Sequence, residues 1–344
     1  MTGRRIKLSD VAKAAGVSAA TVSRALRNPD IVSEKVRERI ERVIEELGYV
    51  PDPAASALAS ARTDVVGVLI PSVTNNVFAE VLRGIYSAAE GTAYRIQLGN
   101  TRYSILEEER LLKVFLSQRP AGLIVTGTDQ SNASRAMLLG ADCPVVQIME
   151  TGEKPVDMMI GFSHRDGAYA ATRHLIEEGY RRIAFLGARM DPRTQRRLEG
   201  FSQALREAGL FDERLIVTTP RPSTVTLGCA LVSELLARAP DADAVFCNND
   251  DLALGVLFEC QRRRIAVPDD FGICGFNDLE MMAVANPSIT SVRTFREAMG
   301  VKAFEMLARG LDGQPVGEAV VDLGFELMRR QSTRRGPSPR HPRA

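Results

Sequence analysis

Histidine is scarce in the 344 residues: only His164, His174 and His341 occur, with no spacing that assembles a triad, and no nucleophile elbow accompanies them. A hydrolase loses its chemistry there. No apolar strand-like run is followed by GxGxxG with an acid ~20 residues on, which argues against a dinucleotide-binding enzyme. The five cysteines, Cys143, Cys229, Cys247, Cys260 and Cys274, are odd in number, scattered and mostly set in apolar segments. They read as buried thiols in a reducing compartment rather than as a disulfide framework or a metal site. No apolar stretch approaches the ~18 residues of a membrane span, and the opening MTGRRIKLSD lacks the apolar core of a signal peptide. The expectation is a cytoplasmic protein with no membrane association, no metal, no cofactor and no enzymatic activity.

Net charge is also nearly absent, at +1, so affinity for nucleic acid has to come from a local patch. One is present. Up to Arg27 the basic residues are Arg4, Arg5, Lys7, Lys13, Arg24 and Arg27, opposed only by Asp10. Within this patch, DVAKAAGVSAATVSRALRN reads as two short helices joined at Gly16, the second capped by Ser18. Val11, Ala15, Val17, Val22 and Leu26 are spaced to pack on one another, leaving Ala19, Ala20, Thr21, Ser23, Arg24 and Arg27 outward. A small, hydroxylated, basic outer face on a helix pair points to a helix-turn-helix that reads DNA.

A third helix, IVSEKVRERIERVIEELGY, is capped by Ser33, repeats Val36, Ile40, Val43, Ile44 and Leu47 at helical spacing, and ends at Gly48. Residues 51–63 (PDPAASALASART) form a linker holding a segment too short for a stable isolated helix, so it folds when something binds it. From Asp64, the runs VVGVLI, RIQLGN, GLIVTG, VVQIM and MMIGF, then RIAFLG, DAVFCN and FGICGF, alternate with amphipathic helices. This predicts an α/β core of parallel sheets flanked by helices, in two similar lobes. The predicted organisation is a head at 1–50, a hinge at 51–63, a core at 64–328 and a disordered basic tail at 329–344. Within the core, lobe 1 is expected at about 64–162 and 292–325 and lobe 2 at about 163–291. Ligands of such sheets collect beyond the carboxyl ends of the strands, where PSVTNN, TGTDQ, METGE, GARMDPRTQRR, NNDD and FNDLE supply polar side chains.

The KLSD start, DVAKAAGVSAATVSRALRN, LGYVPDP, SALAS, NNDDLALG and GFND together closely resemble the lactose-repressor (LacI) type of bacterial transcription factor, from about Lys7 to Phe325. IPSVTNNVFAEVLRGI, GARMDPRT, VFCNNDDLALG, FECQRR and VPDD are most similar to its gluconate-operon repressor subgroup. The resemblance implies a homodimer or tetramer, a two-lobed periplasmic-binding-protein-like core and a small effector in the cleft. It places Ala19, Ala20 and Arg24 at base edges and Thr21, Ser23, Ser33 and Tyr49 at phosphates, with Leu58 as a minor-groove wedge or a dimer contact of the hinge. For the effector it implies Asn75, Asn76, Phe78 and Thr126 on the first lobe, Glu150 between the lobes, and Arg197, Asn249 and Asn277 on the second. Asp250 is read instead as the cap of the helix DLALGVLFEC. Many members carry an acid where Asn277 stands, so its loss favours an anionic sugar over a neutral one.

The partners expected are therefore operator DNA and a sugar acid, gluconate or a relative. Regulators of another carbohydrate or a purine pathway are the alternatives, followed by a sugar-binding protein with no DNA role. The last would have no use for the head.

Overall fold

A computed structural model describes residues 6–27, 29–50, 63–315 and 317–335. It divides into two compact units, residues 1–64 with 114–121 and residues 65–113 with 122–344. In the first unit, helices α1 (Leu8–Ala15), α2 (Ala19–Arg27) and α3 (Glu34–Leu47) enclose a small core of Val11, Ala15, Val22, Ile40 and Tyr49. Gly16, at φ 62°, ends α1 in the left-handed conformation, and the Ser18 hydroxyl accepts the Thr21 amide at 3.1 Å to start α2. Leu26, expected inside, is 38% exposed, and Ala25 fills the core in its place. One residue along a helix turns the side chain by about 100°, and a head this small closes on alanine. Ser33 begins α3 with its carbonyl, which accepts from Val36 and Arg37, while its side chain makes no cap bond.

From Val65 the chain runs β1 (Val65–Ile70), α4 (Asn76–Ala89), β2 (Arg95–Asn100), α5 (Ile105–Ser117), β3 (Gly122–Thr126), α6 (Asn132–Leu139), β4 (Val145–Ile148), β5 (Met158–Gly161), α7 (His164–Glu177), β6 (Ile183–Ala188) and α8 (Pro192–Glu207). It continues through β7 (Ile216–Thr219), α9 (Val225–Arg238), β8 (Ala244–Cys247), α10 (Asp250–Arg263), β9 (Gly272–Asn277), α11 (Met281–Val284), β10 (Thr290–Thr294), α12 (Arg296–Leu311), β11 (Val320–Asp322) and β12 (Phe325–Met328). The strands form two sheets, ordered β11-β5-β4-β3-β1-β2 and β12-β10-β9-β8-β6-β7. All neighbours are parallel except β10 with β12. Strands β3, β4, β5, β6, β8 and β9 are buried along nearly their whole length, as both-face coverage by helices requires.

The chain passes between the lobes more often than the sequence suggested. It crosses after β5, returns between β10 and α12, and crosses again between β11 and β12. Residues 292–294 and Phe325, expected in lobe 1, therefore belong to the second sheet with the rest of β10 and β12, a correction to the expected lobe boundaries. The expected disordered tail is also too long: Gln331–Thr333 form a 3-10 turn in which Ser332 and Thr333 are fully buried. Hydroxyl bonds do the docking there. Ser332 donates to the Ile273 carbonyl at 2.6 Å, and Thr333 meets His174 Nε2 at 2.8 Å and the Thr290 hydroxyl at 2.7 Å.

Glycines set the closest helix approaches. Helices α4 and α12 touch at Gly84 and Gly300, where a methyl would collide with the Glu297 and Val81 carbonyls respectively. Gly228 and Gly255 do the same between α9 and α10, and Gly200 between α7 and α8. The obstacle is backbone in each case, so it cannot step aside. Gly300→Ala should therefore lower unfolding free energy by about 1–3 kcal/mol, the usual penalty of overpacking, even though alanine favours a helix by up to ~1 kcal/mol. Urea denaturation tests this, and an unchanged midpoint would contradict the close-approach role.

Candidate ligand cavity and nucleic-acid interface

A cavity of about 300 Å³ lies between the lobes, at the carboxyl ends of both sheets. Its size is at the small end of the range for small-molecule sites, roughly 300–1,000 Å³. Four helices begin at its wall: α4 at Asn75, α8 at Asp191, α9 at Thr224 and α10 at Asn249. Each of these side chains caps its own helix, accepting from Val77, Thr194, Leu227 and Leu252 respectively. The positive ends of four helix dipoles thus converge on one small space.

Two arginines of α8 add full charges. Arg197 is 7% exposed, its guanidinium lying 3.8 Å from the Phe276 ring centroid. It donates to the Asn248 carbonyl, and from Nε and Nη2 to His164 Nδ1 at 3.2 and 3.1 Å. The His164 Nε2 in turn meets the Met149 carbonyl at 2.9 Å. This arrangement requires a neutral imidazole with its proton on Nε2, and burial, then the Arg197 charge, pulls the His164 pKa well below its ordinary value. Burial also pulls Arg197 down, to about 10, which leaves it charged at neutral pH.

Arg193 is less well satisfied. Its Nη2 donates to Asp191 at 3.3 Å, yet Nη1 is buried with no partner among the described residues. Burial pushes the Asp191 carboxyl up, but Arg193 and the Thr194 amide overcome this and hold it below the ordinary value. On the opposite side, Asn277 Oδ1 is likewise buried without a partner, on a residue whose φ is 113°. A strained backbone that aims an unmet acceptor into a cavity is typical of ligand contacts.

The residues expected at an effector site separate into two groups. Asn75, Phe78, Arg197, Asn249 and Asn277 line this cavity. Asn76 does not: it is exposed on the first turn of α4. Thr126 lines a neighbouring cavity and donates to the Leu69 carbonyl at 2.9 Å. Glu150 lies between the lobes but in an ion pair, 3.0 Å from Arg196, which also bonds Asp129 at 2.6 Å. Asp250 is not the cap of α10: Asn249 is, while the buried Asp250 carboxylate accepts from the Leu279 amide at 2.7 Å and the Ser291 hydroxyl at 2.6 Å. Tyr103, Ser223 and Asp251 line the cavity without having been singled out from the sequence. Applying the carboxyl-end rule to the segment after β2 would have found Tyr103.

On the head, Ala19, Ala20 and Arg24 are exposed on α2, and Thr21 and Ser23 are half-buried beside them. Tyr49 is 8% exposed and belongs to the head core, so little of it reaches the surface. Leu58 and the other hinge residues from 51 to 62 lie outside the described residues.

Residues 7–52 match the family described as bacterial regulatory proteins, lacI family, and residues 172–333 match a periplasmic binding protein-like domain. The transcriptional regulator GntR of Pseudomonas aeruginosa is 42% identical over 96% of this chain and 97% of its own. GntR of Escherichia coli K12 is 40% identical over 95% and 98%. A solved LacI-family regulator from Silicibacter pomeroyi superposes with a TM-score of 0.90 at 38% identity, covering 96% of this chain and all of the other. The chain is a LacI-family transcriptional repressor.

The repressor is a DNA-binding regulator and not an enzyme, and among the described residues no helix is long and apolar enough to cross a membrane. Its interlobe ion pair carries a pH signature. Burial raises the Glu150 pKa from 4.5 to about 7, against the attraction of Arg196. A carboxyl raised in the folded state contributes stability while neutral, and that contribution is lost as pH climbs from its unfolded value through about 7. Glu150→Gln removes the dependence, so the variant should gain stability relative to wild type between pH 5 and pH 8, by up to about 3 kcal/mol. Urea midpoints at the two pH values check this. A difference that is constant or reversed would contradict it.

Proposed function

We propose that the effector of this repressor is a small sugar acid, gluconate first and a keto-gluconate second, bound in the interlobe cavity and releasing a repressor dimer from a pseudo-palindromic operator. The observation that carries this reading is the unpartnered, buried Nη1 of Arg193 beside Arg197, where four helix N-termini meet. A carboxylate answers both the bare donor and the field. The remaining wall suits hydroxyls: Asn277 Oδ1 and the Asp251 carboxylate can accept from them, and Ser223 and Thr74 can do either. The likeness of the ligand-facing motifs to gluconate-operon repressors supports the same choice.

On DNA, Arg24 donates to a base edge and Ala19 and Ala20 allow close approach, while Thr21, Ser23, Ser33 and the edge of Tyr49 hold phosphates. Leu58 wedges into the minor groove at the centre of the site. Ligand binding favours one relative position of the lobes, and the hinges of the dimer then lose the spacing the operator needs. The protein works in the cytoplasm.

Fluorescence anisotropy on labelled operator tests this. Gluconate should release the wild-type repressor. Arg193→Ala should require at least roughly tenfold more, since a hydrogen bond to a charged group is worth about 1.5–3 kcal/mol, while operator binding without gluconate persists. Equal release by glucose, or an unaltered gluconate response in Arg193→Ala, would overturn the assignment.

A further inference from the structure

A second cavity, of about 340 Å³, lies directly beside the first and shares Tyr103, Arg189, Asp191 and Arg193 with it. The boundary between them is a stack. The Arg189 guanidinium lies 3.8 Å from the Tyr103 ring centroid, and Arg193 stands 5.9 Å from the same ring. Tyr103 follows β2 of the first lobe and Arg189 follows β6 of the second, so the contact spans the cleft. Both sides of the stack rest on strained backbone: Arg102 and Tyr103 have φ of 52° and 58°, and Arg189 and Met190 have φ of 67° and 52°. Four non-glycine residues in the left-handed region, paired in two facing turns, fix the stack in place. Asn75, the cap of α4, reaches the Tyr103 hydroxyl at 3.5 Å.

We propose that the Tyr103–Arg189 stack is a partition that sets the length of the ligand, confining the first cavity to one sugar unit and closing off a second subsite able to hold another. The proposal rests on the reading of the first cavity as the effector site. Beyond the partition the wall combines apolar surface from Pro71, Ile105 and Pro192 with the polar side chains of Thr101, Ser104, Glu108 and Thr126. Apolar surface beside hydroxyls and a carboxylate suits a pyranose ring, which has apolar C–H faces and a rim of hydroxyls. An acid one unit long ends at the stack. A glycosylated acid would have to pass through the Tyr103 ring.

Calorimetry of the full-length repressor tests this with two ligand pairs, gluconate with lactobionate (gluconate carrying a galactosyl unit) and glucose with lactose. Tyr103→Gly removes the ring and suits the left-handed backbone. Arg189→Gly removes the other half of the stack by an independent route, and Tyr103→Phe keeps the ring. Wild type and Tyr103→Phe should bind gluconate and exclude lactobionate, and either glycine variant should bind lactobionate at least tenfold more tightly than wild type. If lactobionate and lactose bind no better to both glycine variants than to wild type, or bind wild type as well as the one-unit ligands do, the partition is wrong. Binding of glucose but not gluconate to wild type would overturn the acid assignment alone, and the partition would then be judged by the same criterion on lactose.

Discussion

An excess of positive charge in a small, half-open space is the constraint on which the ligand-binding half of this repressor depends. Four helix N-termini and three arginines, Arg189, Arg193 and Arg197, face one cavity of about 300 Å³, against the carboxylates of Asp191 and Asp251. Asp191 is committed to its own cap and to Arg193. Keeping a guanidinium as buried as that of Arg197 is costly unless its donors are met. The structure meets them with a carbonyl, a neutral imidazole and an aromatic face. His164, which has no catalytic role, is thereby explained: it presents a lone pair to Arg197 and anchors itself to Met149 across the cleft.

The same residues tie the lobes together. Arg196, one position before Arg197, reaches Asp129 and Glu150 of the first lobe, and Arg296 joins the Asn277 carbonyl of the second lobe to Glu80 on α4. Helix α4 begins at the cavity and packs along α12 through Gly84 and Gly300. A ligand that draws on Arg193 and Asn277 therefore acts on groups whose neighbours already bridge the lobes. Differential contacts of this kind let a small molecule bias a two-state arrangement.

Much of this was legible in the sequence, and the misses have physical causes. Gly16, Ser18 and Gly48 act locally, so the head could be read from caps and turns. The buried strands announced themselves as apolar runs. Strand β7 did not, because an edge strand with only Val217 buried carries little pattern. The same holds for β10, whose Thr290 and Ser291 are buried by hydroxyl bonding to Ser332, Thr333 and Asp250. The tail was misread for the same reason, since Ser332 and Thr333 look solvated until their partners are known. The resemblance pointed to Arg197, yet its donors are met by Asn248 and His164, and it is Arg193, one turn earlier on α8, whose Nη1 has no partner among the described residues. Tyr103 lies just after β2, where the carboxyl-end rule points, but its stack on Arg189 of the other lobe leaves no mark in the sequence.

If the effector is a sugar acid, the cavity must select for negative charge as well as for hydroxyls. Gluconate and sorbitol have nearly the same chain of hydroxyls and differ at the carboxylate, so calorimetry of both on the full-length repressor isolates that term. The account predicts that gluconate binds and that sorbitol binds roughly a hundredfold more weakly or not at all, the loss of one or two charge-assisted hydrogen bonds at about 1.5–3 kcal/mol each. Sorbitol binding within a few-fold of gluconate would contradict it.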